Sequence, residues 1–195
     1  MQGLLRLSRG IDWLNERVGR AVIWLVLVTV LISAGNAIIR KTFDTSSNAW
    51  LEVQWYLFSA IFLLCAGYTL LRNEHVRIDV LLHRLPKRKQ IGVDIFGLLV
   101  FLLPVAMLIT ALGWPQFTIS LVSNEMSSNA GGLIRWPVKL LLPLGFGLLA
   151  LQGLSELIKR VAFLKGLIED PTKKKQVKSA EEELAEVIRA EAERK

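Results

Sequence analysis

Side chains that carry chemistry are scarce in this sequence. Cys65 is the single cysteine among 195 residues, which excludes an intrachain disulfide and any CxxC metal or redox pair. The two histidines, His75 and His83, share one polar stretch. A haem-bearing membrane subunit needs axial ligands inside its apolar segments, and those segments hold no histidine. No Walker loop, dinucleotide fingerprint, nucleophile elbow or HExxH motif occurs. Carboxylates are missing from the middle of every long apolar run, so a proton relay has no members. No catalytic residue, cofactor or metal site is expected.

What remains is apolar and basic. Hydrophobic residues make up 52% of the chain, and 24 Lys and Arg stand against 17 Asp and Glu. The apolar residues gather into blocks too long for buried strands, which marks an all-α integral membrane protein. The cations lie beside those blocks and are not interleaved with exposed aromatics. Topology and membrane lipid therefore account for them, and nucleic acid is not an expected partner.

The organising stretch is Trp50 to Leu82. Trp50, Glu52, Trp55 and Tyr56 form its belt, an apolar run extends from Leu57 to Leu71, and Arg72 opens a charged exit. That order describes a spanning helix ending on the cytoplasmic side. Spans are expected at about 21–39, 50–71, 91–113 and 137–158, the first about 28 Å long at helical rise. Before them, residues 1–19 repeat Leu4, Leu7, Ile11, Leu14 and Val18 at three-four spacing, an amphipathic helix expected to lie in the interface. A second in-plane helix is expected at 76–85, ended by Pro86. Residues 161–195 form a charged cytoplasmic tail, the last part of a division into 1–19, a four-helix domain 20–160 and the tail. Cations concentrate before the first span and between the second and third, so both termini are expected in the cytoplasm.

Individual polar residues carry smaller expectations. Ser33 to Ala37 reads as a helix-contact face, Pro104 as a kink, and Asp94 as a complement to its helix dipole and nearby cations. Glu156 precedes Lys159 and Arg160 by three and four residues, the spacing of a local ion pair. For Glu52 two readings stay open: hydration near the headgroups beside Arg40 or Lys41, or pairing with a cation on a partner subunit.

The layout, together with Trp50 and Glu52 leading through Ala66-Gly67-Tyr68-Thr69-Leu70 into Glu74-His75-Val76-Arg77-Ile78-Asp79, resembles the small DctQ-like membrane subunit of tripartite ATP-independent periplasmic (TRAP) transporters. The resemblance covers about 11–158. It implies a non-catalytic subunit of the bacterial inner membrane that braces a large multi-span permease. The permease imports an organic acid or related solute on a sodium gradient, after delivery by a periplasmic receptor. Glu52, Trp55, His75, Arg77 and Asp79 are the candidate residues of a partner interface or structural anchor. The alternative from the residues alone is a stand-alone four-helix exporter acting as a homodimer, although such exporters centre on an acid in the first span and 21–39 has none. An anchor for a soluble enzyme is a third reading.

Overall fold

A computed structural model describes residues 1–45, 47–74 and 86–168. Helices α1 (Gln2–Phe43), α2 (Asn48–Leu71), α3 (Lys87–Gly97), α4 (Leu103–Val122) and α5 (Trp136–Leu164) follow in order, with α3 and α4 joined through a π-helical turn at Leu98–Leu102. Four helical stretches, counting 87–122 as one, are long and apolar enough to cross a membrane. The architecture is thus all-helical among the described residues, with the four spans that the hydrophobic runs imply.

The largest difference from the sequence reading lies in α1. The expected interfacial helix 1–19 and the first span form one uninterrupted helix of 42 residues, about 63 Å at helical rise and twice a hydrocarbon core. Nothing between Gly10 and Ile39 stronger than an isolated glycine opposes the hydrogen-bond ladder. The face turned to the rest of the chain is mostly polar. Ser8, Ile11, Asn15, Gly19 and Val22 are buried, whereas Leu4, Leu7 and Leu14 are exposed. The segment's polar stripe meets the rest of the chain together with Ile11, while its leucines face outward, as an apolar face turned to lipid does. The expected helix 76–85 lies outside the described residues, as do His75, Arg77, Asp79 and nearly all of the tail.

Helix α5 is the centre of the bundle, packing against α1, α2 and α4. Small residues permit this, because lipid supplies no hydrophobic drive and close approach must supply dispersion contacts instead. At Gly145 an added Cβ would stand 2.7 Å from the Leu63 carbonyl oxygen of α2. Gly145→Val should therefore cost about 1–3 kcal/mol by overpacking, read as a lowered unfolding midpoint in detergent; an unchanged midpoint would show that the α2–α5 seam is loose.

Pro104 is the second residue of α4, and its ring would crowd the carbonyl four residues back in a regular helix. The π turn just before it loosens the ladder there: the Leu103 N–H bonds to the Leu98 carbonyl, five residues back. The expected kink position thus coincides with a built-in irregularity. The helix then continues through Pro115 to Val122, beyond the span end expected at 113. Trp114 and Phe117 of α4 stack edge-on with one another, and Phe117 with Trp136 of α5, at centroid distances of 5.7 and 6.4 Å.

Candidate functional site

Two polar clamps hold the bundle, one at each end. The first is built on α2. Glu52 sits one turn into that helix and is 6% exposed. Its Oε1 accepts from the Ser127 hydroxyl and from Asn129 Nδ2 (2.8 Å), and its Oε2 accepts from the Leu133 N–H (2.6 Å). These donors belong to the α4–α5 connection, a tight hairpin in which Met126 pairs antiparallel with Ile134. The Ser127 N–H reaches the Leu133 carbonyl at 2.9 Å, and the Arg135 N–H the Glu125 carbonyl at 2.8 Å. Gly131 turns the tip at φ 68°, a conformation that favours glycine. Asn48 Nδ2 donates to the Ala130 carbonyl (3.0 Å) and the Tyr56 hydroxyl to the Ile134 carbonyl (3.1 Å). Three side chains of one α2 face, at positions 48, 52 and 56, thus seize a loop some eighty residues away.

Glu125 closes the hairpin onto α5 through an ion pair with Lys139. The Lys139 ammonium, assisted by the nearby Arg135 charge, holds the Glu125 carboxyl below its usual value of 4.5. A lowered folded-state value contributes stability that is present above the unfolded value and lost as pH falls through the folded one. Protection of the hairpin amides is accordingly expected to decline on acidification below about pH 4.5, with Glu125→Gln removing the Glu125 share of that dependence in hydrogen exchange.

The second clamp joins the start of α1 to the end of α5. Ser8 and Ser155 share a hydrogen bond of 2.7 Å. Asn15 Nδ2 donates to Gln152 Oε1 at 3.0 Å, and Gln152 Nε2 donates to Asp12 Oδ1 at 2.9 Å. The Ser155 hydroxyl donates to Asp12 Oδ1 at 2.6 Å, and Lys159 Nζ donates to Asp12 Oδ2 at 3.1 Å. Lys159 and Arg160 both pair with Glu156, and Arg160 Nε reaches Asp94 Oδ2 of α3 at 3.2 Å. Asn15, Gln152 and Ser155 are fully buried and Arg160 is 2% exposed. Such a network of buried polar groups, with Asn15 Oδ1 as its one buried atom without a partner among the described residues, holds the joint, since parting its members strands buried polar groups or charge. Beside it, Glu16 pairs with Arg20 and Arg72, and the Arg72 guanidinium lies 5.3 Å from the Tyr68 ring centroid.

The candidates named from sequence separate accordingly. Glu52 is held within the chain, away from Arg40 and Lys41, by the hairpin donors. Trp55 points outward at 69% exposure, in a stripe with Leu51, Phe58 and Phe62 at helical spacing. The local pairing of Glu156 is present and wider than anticipated. Asp94 serves a tertiary pair with Arg160, beyond its expected complement to the helix dipole. Asp12, Asn15 and Ser155 were not singled out, yet a signal existed: 8, 12 and 15 in α1 and 152, 155, 156 and 159 in α5 are polar stripes at helical spacing.

Three membrane-length helical stretches around a fourth, α5, with polar clamps at both ends, define a multi-pass helical membrane protein. The family model described as tripartite ATP-independent periplasmic transporters, DctQ component, matches residues 29–163. The chain belongs to this family and is therefore a small membrane component of a TRAP transporter, a transport component and not a member of a known enzyme family. Neither the curated proteins nor the solved structures yield a match.

Proposed function

We propose that this chain is a non-catalytic brace for the large permease subunit of a TRAP-type secondary transporter. The permease takes up an organic acid or related solute on a sodium gradient, from a periplasmic receptor, across the bacterial inner membrane. The observation that carries the bracing role is the pair of clamps. Glu52 fixes the hairpin to α2 at one end, and the Asp12–Lys159–Glu156–Arg160–Asp94 network fixes α1 and α3 to α5 at the other. A subunit that moves solute needs parts that rearrange, whereas this one ties its helices together where they emerge.

In this reading both termini are cytoplasmic, on the strength of the cation distribution, and the hairpin faces the periplasm. Glu52 is an internal anchor, while the aromatic stripe through Trp55 faces the permease. His75, Arg77 and Asp79 remain proposed members of an anchor between the second span and the segment after it. A pull-down of the tagged chain in mild detergent tests the assignment: a large multi-span permease at near one-to-one supports it, and the chain alone as a homodimer overturns it in favour of a small exporter. Trp55→Ala is expected to lower permease recovery severalfold, as loss of a buried aromatic anchor does; full recovery would remove that face from the interface.

A further inference from the structure

Away from both clamps, the outer end of α1 carries a polar groove that the bracing role does not use. Ser33, Asn36, Ala37, Arg40, Lys41 and Asp44 line an open cavity of about 470 Å³. These positions recur every three or four residues, so they form one stripe along the last turns of the helix. Ser33 Oγ donates to Gln54 Oε1 of α2 at 3.0 Å, which sets the groove beside the α1–α2 seam. Gln54 Nε2 is buried there with no hydrogen-bond acceptor among the described residues. Among those residues the side chains of Asn36, Arg40 and Lys41 likewise have no hydrogen-bond or ion-pair partner. Lys139, by contrast, is taken up by Glu125. The groove is flanked by exposed apolar side chains, Ile38 and Phe43 on α1 and Trp50 at the start of α2.

Donors, one surplus positive charge and an apolar flank meet at the end of a membrane-length helix. A free anion would engage the donors and leave the flank idle, whereas an anionic phospholipid uses both. We propose that this groove binds one phospholipid of the phosphatidylglycerol type. Arg40, Lys41 and the Asn36 amide engage the phosphodiester oxygens through charge-assisted and neutral hydrogen bonds. Asp44 accepts from a headgroup hydroxyl, and the acyl chains run inward from the phosphate past Ile38. Two cations against one carboxylate leave a single positive charge, matching the single negative charge of that lipid.

The test uses the full chain, with whatever subunits accompany it from the membrane, washed of lipid in mild detergent and titrated with dioleoylphosphatidylglycerol under native mass spectrometry. One saturable adduct per chain is expected, stronger than with dioleoylphosphatidylcholine, which lacks both net charge and a headgroup donor. Arg40→Gln with Lys41→Gln should weaken it about tenfold or more, with an unchanged unfolding midpoint confirming an intact bundle. Asn36→Leu, which removes no charge, should weaken it less. Arg6→Gln with Arg9→Gln removes the same charge from the other end and should bind like the native chain. The proposal is overturned by the absence of a saturable adduct, by full binding in the Arg40/Lys41 variant, or by equal loss in the Arg6/Arg9 variant. Displacement of the lipid by millimolar inorganic phosphate would also overturn it, identifying the groove as a site for soluble anions.

Discussion

Arg160→Met is expected to remove about 3–5 kcal/mol of stability, the penalty for breaking a buried ion pair by taking away one partner. The guanidinium is 2% exposed and lies between the carboxylates of Glu156 and Asp94. Without it two acids face each other near the junction of α3 and α5, with Lys159 left to serve both Glu156 and Asp12. Equilibrium unfolding in detergent measures the loss, and a value under about 1 kcal/mol would show that water reaches the cluster and screens it. Arg160→Met combined with Glu156→Leu should recover part of the loss, because fewer unpaired charges then remain buried. Disrupting the half-exposed Arg72–Glu16 pair, by comparison, should cost no more than about 1 kcal/mol.

The second large effect is expected at Glu52. One carboxylate satisfies the Ser127 hydroxyl, the Asn129 amide and the Leu133 N–H, so Glu52→Ala strands three donors together. The hairpin should then detach from α2 while the helices stay folded. Amide exchange at Ser127 and Leu133 is expected to rise by about an order of magnitude or more, with little change at α5 amides. Glu52→Gln keeps the shape and two acceptor lone pairs, so it should fall between native and alanine. If exchange in the hairpin stays native in the alanine variant, Asn48 and Tyr56 suffice to hold it and Glu52 is not the anchor. Permease recovery lost in the Glu52→Ala variant, with a native-like bundle, would show that the hairpin's position matters to assembly.

The spans were legible because bilayer thickness imposes a length on apolar runs, a one-dimensional constraint readable without any partner. The pairing of Glu156 with Lys159 and Arg160 was legible for a similar reason: both ends lie within one helical turn. The ends of α2 and α4 were legible in principle, since Asn73 and Asn124 adopt φ of 54° and 48°, a left-handed cap that asparagine tolerates. The Glu52 clamp was not, because its partners lie 75 to 81 positions away in a loop whose own sequence carries no long hydrophobic or charged signal. The continuity of the N-terminal segment with the first span, and the polar face it turns to α5, were not legible. Its leucines repeat with amphipathic spacing, and in water such a face would be buried. Near a membrane, exposed leucines have lipid available to them, so the face that seeks protein is the polar one carrying Ser8, Asp12 and Asn15.

The sequence by itself determined a helical membrane protein of four spans and the family to which its motifs point, since periodicity, run length and local spacing act along the chain. Only the tertiary structure decided that α5 is the central helix, that Glu52 turns inward to a hairpin while Trp55 turns outward, and that Asp12 meets Lys159. Those outcomes depend on which buried polar groups find partners across gaps of up to 147 residues. In a low dielectric a paired polar group costs much less than an unpaired one, so pairing favours this packing over its alternatives.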